Sequence, residues 1–194
     1  MGTGIFRRVP NRRFVVVLAF LLLSTATFAQ SAHWRVSASA LFGQDWLGSE
    51  DTRRGALYSV AYGRPEPRLH FWGYDAEMDL EAYFMFTKGG ADFIAGPNSS
   101  FHYGLLLVGR YYQHYAKTLR AFVEGGWGLQ YTNRLTHDID SLWNSTPMIG
   151  AGFIVPMRGD ELMVSLRYFH ISNGGTAGDN EGLNFFQLSA GLRF

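Results

Sequence analysis

The chain has 194 residues, of which 47% are hydrophobic and 16% aromatic, with 23 glycines and no cysteine. The absence of cysteine excludes a disulfide framework, a thiol nucleophile and a cysteine-based metal site. The formal net charge of +1 offers no strongly basic surface, so no nucleic-acid partner is expected.

The first 29 residues have the composition of a secretory signal peptide. Four arginines precede an apolar run at 14–23 and a small-residue stretch that ends at Ala29. The run is about half of the roughly 20 residues that a spanning helix needs, which favours a cleaved leader. We therefore expect a signal peptide at 1–29 and one domain at 30–194. Without the leader, 13 basic residues face 16 acidic ones, a net charge of −3.

Apolar and polar residues alternate along segment 74–86. One face is apolar from Tyr74 to Phe86, and the other is acidic at Asp75, Glu77, Asp79 and Glu81. A period of two predicts a strand with a different medium on each side. Its length suits a strand that crosses a membrane at a tilt. The alternation recurs in seven further segments: 34–42, 55–63, 101–113, 119–131, 147–157, 160–172 and 186–194.

Eight such segments predict an all-β fold, an eight-stranded antiparallel transmembrane β-barrel with periplasmic termini. An interior of this size is filled by side chains, so its charges are expected to form an ion-paired plug. The inward-facing charged residues are Glu77, Asp79, Glu81, Glu124, Arg110, Arg120, Arg167 and Arg193. A soluble lipocalin-like barrel or a β-sandwich would instead bury the apolar face. Aromatic residues at the strand ends, including Phe194 in phase on the last strand, favour the membrane barrel.

Loop lengths give the predicted orientation. The longer links, expected to be extracellular, lie near 43–54, 87–100, 133–146 and 173–181. Shorter periplasmic turns are expected near 64–69, 114–118 and 158–159.

The last two predicted strands carry polar residues on their apolar face. His170 and Ser172 are two residues apart and therefore share a face with Tyr168. Asn184 continues the apolar set that begins at Phe186. All three polar side chains are expected on the outer wall at the extracellular end. A histidine beside a serine suits a base-activated nucleophile, although a headgroup contact and an ordinary turn explain the same residues.

The arrangement His170-x-Ser172-Asn173-x-Gly175, followed by Asn180-x-Gly182, resembles the motif of the lipid A 3-O-deacylase family. These PagL-like proteins are outer-membrane acyloxyacyl hydrolases. The segment 122–128, FVEGGWG, is also similar to one in that family.

The resemblance implies a cofactor-free serine esterase in the outer membrane of a Gram-negative bacterium. Its substrate would be the acyl ester at position 3 of lipid A in lipopolysaccharide, with outer-membrane lipids around it. Ser172 would be the nucleophile and His170 the general base. Asn173 and the Gly175 backbone N–H would form the oxyanion hole. Whether the barrel also forms a homodimer is left open.

The third catalytic member departs from the family pattern. The best-known members carry a glutamate where this chain has Asn184. An asparagine can fix the tautomer of a histidine, but it cannot offset the charge of an imidazolium. We expect Asn184 in this role. Glu181 is the second choice. If the last strand already includes it, its side chain faces the opposite side from Asn184, so it could serve only if the loop there is irregular.

The remaining polar residues are expected to be structural. The segment His137–Asp140 is predicted to be a solvated acidic loop. The other histidines have no metal-ligand spacing, so no metal is expected: His33, His70, His102 and His114.

Two other functions fit a small outer-membrane barrel. One is a non-catalytic structural or adhesion protein, which would leave lipid A unchanged. The other is an acyltransferase, which would add an acyl chain to lipid A instead of removing one.

Overall fold

The computed structural model describes residues 32–69, 74–89, 98–116, 119–178 and 181–194, and these residues form nine strands. They are β1 His33–Gln44, β2 Arg53–Pro65, β3 Asp75–Gly89, β4 Ser99–Ala116, β5 Leu119–Thr132, β6 Trp143–Ser145, β7 Met148–Met157, β8 Asp160–Ile171 and β9 Leu183–Arg193. A 3-10 turn at Pro67–Leu69 follows β2. Among the described residues, no helix is long and apolar enough to cross a membrane. The predicted signal peptide at 1–29 lies outside them.

The strands close into an antiparallel barrel with eight positions in its wall. Each strand from β1 to β5 pairs with the next strand in the chain, and β9 pairs with both β8 and β1. The short β6 and the longer β7 both pair with β5 at successive heights. They therefore share one position in the wall. The predicted eight-stranded antiparallel barrel is confirmed.

The wall separates apolar from charged side chains. On the outer face, Ile149 is 65% exposed and Leu105 is 56% exposed, whereas Asp79 and Glu81 inside are 0% exposed. A soluble barrel or sandwich would show the reverse arrangement. The outward apolar face, predicted from the alternation, is confirmed.

Ion pairs fill the middle of the barrel. Arg110 contacts Glu77 and Glu124, each at 2.8 Å. Arg167 contacts Glu124 at 2.7 Å and Glu81 at 3.1 Å. Each guanidinium lies between carboxylates from different strands, which offsets the cost of removing both charges from water. The predicted ion-paired plug is confirmed.

Two side chains of β1 extend this network beyond the prediction. Arg35 contacts Glu81 at 2.7 Å, and its parity, opposite to that of the outward residues of β1, could have identified it. The Nε2 atom of His33 lies 3.2 Å from Glu77 and 3.8 Å from Asp79. This group is compact enough to hold a metal ion. Glu77 already accepts hydrogen bonds from guanidinium and hydroxyl groups, which leaves little need for another cation.

An apolar layer covers the ion pairs towards the ends of β1, β3, β5 and β8. Its buried members include Met85, Phe169 and Phe185. Ile139, which lies in the link after β5, belongs to the same cluster and is 0% exposed. A loop residue therefore enters the barrel and closes it at this end.

The described residues include links at this end of the barrel: L1 (45–52), L3 (133–142) and L4 (172–182, without 179 and 180). The link L2 (90–98) joins β3 to β4 in the chain, but its residues 90–97 lie outside the described part. These links correspond to the longer links that the sequence predicted. L1, L3 and L4 meet around the ends of β8 and β9, where the candidate site lies.

Candidate active site

His170 and Asn184 face each other across β8 and β9. They are direct partners in the antiparallel register. The Nδ1 atom of His170 lies 2.6 Å from the Oδ1 atom of Asn184. By parity both belong to the outer face of the wall, as the sequence predicted. Asn184 is nevertheless only 1% exposed, because L1 covers it.

Hydrogen bonds fix the orientation of the Asn184 amide. Its Nδ2 group donates to the Trp46 carbonyl at 2.5 Å, so its Oδ1 atom is the acceptor. Oδ1 accepts from the Tyr168 hydroxyl at 2.5 Å and from the Nδ1–H group of His170. With the proton on Nδ1, the lone pair of the His170 ring is on Nε2. This is the tautomer that a general base requires.

Aromatic side chains pack against one another beside the amide. The Trp46 ring lies edge-on to Phe186, with ring centroids 5.2 Å apart, and stacks on Tyr168 at 6.3 Å. Neither Trp46 nor Tyr168 was predicted to belong to the site. Tyr168 has a recognisable pattern, a hydroxyl two residues before a histidine on the same face. Trp46 has none, since 138 positions separate it from Asn184.

Gly182 packs directly against the His170 ring. A Cβ atom at position 182 would lie 2.7 Å from Cε1 of His170, and the φ angle of Gly182 is +79°. Both the close approach and the left-handed backbone require glycine. L4 therefore restricts the movement of the ring at its Cε1 edge.

Ser172 lies directly after β8 and is held by its backbone. Its N–H donates to the Ser145 carbonyl at 3.1 Å, and its carbonyl accepts from Ser145 N–H at 2.7 Å. The side chain is half-buried. Both Ser172 and His170 are among the described residues, and no hydrogen bond joins Ser172 Oγ to the ring in this state. Catalytic hydrogen bonds in substrate-free enzymes are often long and tighten when substrate binds.

Asn173 and Gly175 form the turn that opens L4. The Oδ1 atom of Asn173 accepts from Gly175 N–H at 2.8 Å and from Thr176 N–H at 3.2 Å. Asn173 Nδ2 donates to the Ala177 carbonyl. Gly175 has a φ angle of +74°, which glycine adopts without strain. The two proposed oxyanion donors are thus bonded to each other directly after Ser172.

Glu181 lies apart from the histidine. Its side chain is exposed and lies beside Gly48 of L1, whose added Cβ would be 3.8 Å from it. The structure thus brings Asn184, not Glu181, into contact with His170. Asn180, part of the family-like motif, lies outside the described residues.

Asp138 differs from its prediction. The segment His137–Asp140 was expected to be solvated, but Asp138 is 1% exposed. Its Oδ2 atom accepts from Ser49 Oγ at 2.8 Å and from the backbone N–H of Asp51 at 2.7 Å. The prediction was wrong because the backbone donors of L1, which have no sequence pattern, compensate for burial of the carboxylate.

The amino-acid sequence matches a family model described as lipid A 3-O-deacylase (PagL) over residues 26–193. The chain belongs to the lipid A 3-O-deacylase (PagL) family. The description of the PagL family names lipid A and deacylation, so the chain is a member of a hydrolase family. A comparison with curated protein sequences found no significant match.

Solved structures share the fold of this PagL-family chain. The crystal structure of the outer membrane enzyme PagL has a TM-score of 0.61 at 18% identity, covering 81% of this chain and 97% of that one. Neisserial surface protein A has the same TM-score at 14% identity, covering 84% and 95%. Both proteins are similar to this chain in fold. Family and fold together support an outer-membrane location.

Proposed function

We propose that this chain is a serine esterase that removes the 3-O-linked acyl chain from lipid A. The observation that carries the proposal is the His170–Asn184 hydrogen bond on the outer wall. It leaves the Nε2 lone pair of His170 available, with a serine two residues further along the strand. Membership of the PagL family supports lipid A as the substrate.

In the proposed acylation step, His170 Nε2 accepts the Ser172 Oγ proton as Oγ bonds to the ester carbonyl carbon. The carbonyl π electrons move to oxygen and form a tetrahedral oxyanion. The oxyanion collapses, the bond to the sugar oxygen breaks, and His170 returns its proton to that oxygen. The products are a free 3-hydroxyl on lipid A and an acyl ester on Ser172.

In the deacylation step, His170 accepts a proton from water while the water oxygen attacks the acyl ester. Collapse of the second tetrahedral oxyanion releases the fatty acid and returns the proton to Ser172 Oγ. In both steps Asn184 holds the ring with Nε2 directed to the reaction. Its amide is neutral, so it gives the imidazolium less stabilisation than a carboxylate would.

We assign the stabilisation of the oxyanion to Asn173 and the Gly175 N–H group, following the family motif. The hydrogen bond between them supports this assignment, because it shows that both residues belong to one turn directly after Ser172. Gly175 N–H would exchange its partner from Asn173 Oδ1 to the oxyanion when the substrate binds. Each such donor typically contributes about 3 kcal/mol to transition-state stabilisation.

We place the barrel in the outer membrane of a Gram-negative bacterium, crossing it with all eight positions of the wall. The termini would face the periplasm, and L1 to L4 the outside. His170 would then lie at the level of the acyl esters of the outer leaflet, where lipid A is found. The reaction needs only one chain, and the comparisons give no support for a homodimer.

The test uses purified protein in detergent micelles with lipid A, and mass spectrometry of the products. We expect release of one 3-hydroxy fatty acid, and no release above background by a folded Ser172→Ala variant. Ser165→Ala is the matched control, because Ser165 lies on β8 but faces the interior without a hydrogen-bond partner. With a phospholipid added as acyl donor, a gain in lipid A mass would indicate an acyltransferase, and no change a non-catalytic barrel; either result contradicts the proposal.

A further inference from the structure

Asp138 joins L3 to L1 through its carboxylate. Its Oδ2 atom accepts from Ser49 Oγ at 2.8 Å, Glu50 N–H at 2.9 Å and Asp51 N–H at 2.7 Å. The side chain is 0% exposed. Three donors to one buried carboxylate oxygen make a strong, specific contact. L1 is therefore fastened to this residue.

L3 itself is anchored in the barrel. Ile139, the next residue, is 0% exposed in the apolar layer. Thr136 and Ile139 exchange backbone hydrogen bonds at 3.2 and 3.3 Å, which close the turn around Asp138. These contacts therefore hold the backbone of Asp138 in place relative to the barrel.

The backbone of Asp138 reaches the histidine through L4. Its carbonyl accepts from Gly182 N–H at 2.9 Å. Gly182 in turn lies against the His170 ring, so closely that a Cβ atom would be 2.7 Å from it. The position of L3 therefore sets how tightly L4 packs on the ring.

The carboxylate of Asp138 reaches the same histidine through L1. Ser49, which donates to Asp138, also donates its N–H to the Trp46 carbonyl at 3.1 Å. That carbonyl accepts the Nδ2 group of Asn184 at 2.5 Å. L1 thereby fixes which end of the amide faces His170.

We propose that Asp138 is a positioning residue that holds the His170 ring and its Nδ1–H tautomer by fastening L1 and L4 to L3. The proposal rests on the proposed function only for its effect on turnover; the effect on the ring is independent of it. Asn184 selects the tautomer only through the orientation of its amide, which the Trp46 carbonyl and the Tyr168 hydroxyl fix. L1 supplies that carbonyl, and Gly182 of L4 packs on the ring.

The experiment compares Asp138→Ala with Glu50→Gln in detergent micelles. Both changes remove one negative charge at the L1–L3 contact, but only the first removes the acceptor of the L1 donors. Nitrogen-15 NMR of the His170 ring reports the tautomer, and kinetics on lipid A report kcat and KM separately. We expect mixed tautomers and a kcat about 100-fold lower for Asp138→Ala, the size expected for a displaced catalytic group. Glu50→Gln is expected to resemble the unmodified protein.

A folded Asp138→Ala variant with the Nδ1–H tautomer and an unchanged kcat would overturn the proposal. So would equal effects of the two variants. If Asp138→Ala does not fold, Ser49→Ala tests the same contact by removing one donor, and an unchanged His170 spectrum would again contradict the proposal. If the unmodified protein releases no fatty acid, the proposed function fails, whereas the NMR comparison still decides the role of Asp138.

Discussion

The Oδ1 atom of Asn184 accepts hydrogen bonds from both His170 Nδ1–H and the Tyr168 hydroxyl, so one neutral amide oxygen serves both donors. In enzymes with an acidic third member, that position holds a carboxylate. Here Tyr168 and the Trp46 carbonyl fix an uncharged group in the same orientation. The tautomer of His170 therefore depends on geometry more than on charge.

Replacing Asn184 tests this dependence. We expect Asn184→Ala to lower kcat on lipid A about 100-fold, because the ring loses its partner for Nδ1–H. Loss of tautomer control costs up to about 10⁴-fold where the partner is an aspartate. Tyr168→Phe keeps the His170 contact and should cost less than tenfold, the worth of about one hydrogen bond. Equal activity of Asn184→Ala and the unmodified protein would rule out this role.

Gly182 offers a test of the ring's packing. In Gly182→Ala the new Cβ would lie 2.7 Å from His170 Cε1, so the ring must move and kcat should fall at least tenfold. Gly159→Ala is the matched control, because Gly159 also has a positive φ angle, +109°, but nothing within 4 Å. Initial rates on lipid A separate the two variants. If both variants lost the same fraction of kcat, backbone strain and not the clash with the His170 ring would explain the loss.

The Asp138 contact is expected to depend on pH. Burial alone would raise the pKa of Asp138, but donors from Asp51, His137, Ser49 and Glu50 lower it below its ordinary value. A lowered pKa gives stability that is present above the ordinary aspartate value of about 4. This stability is lost as pH falls through the lower, folded value.

Hydrogen exchange of the Glu50 and Asp51 amides measures this dependence. Their protection, corrected for the intrinsic pH dependence of exchange, should persist at pH 4 and be lost only below it, while the strands stay protected. Asp138→Asn should abolish this transition. Loss of protection centred well above pH 4 would contradict the lowered pKa.

The buried ion pairs should contribute far more to stability than the exposed ones. Arg167→Ala leaves Glu81 and Glu124 each with one guanidinium fewer, so the free energy of unfolding should fall by about 3–5 kcal/mol. Arg120 pairs with Glu161 where both side chains are about a quarter exposed, at 24% and 29%, and Arg120→Ala should cost below about 1 kcal/mol. Urea unfolding in micelles compares them. Equal losses would contradict an ion-paired plug.

The alternation of side chains between the two faces of a strand determined how much of the site could be predicted. The faces of His170 and Asn184 followed from the sequence because a strand's period of two is dictated by its backbone. The contacts of Trp46 and Asp138 did not follow, because loop conformations bring together residues 138 and 87 positions apart without any repeating pattern. For the same reason Asp138 was predicted to be solvated.

The most direct test of the central claim is the mass of lipid A in cells that produce this protein. Mass spectrometry of lipid A extracted from such cells should show the loss of one 3-hydroxyacyl chain. Cells producing a folded Ser172→Ala variant should retain full-length lipid A. The same mass loss with Ser172→Ala, or no loss with the unmodified protein, would contradict a serine esterase built on Ser172 and His170.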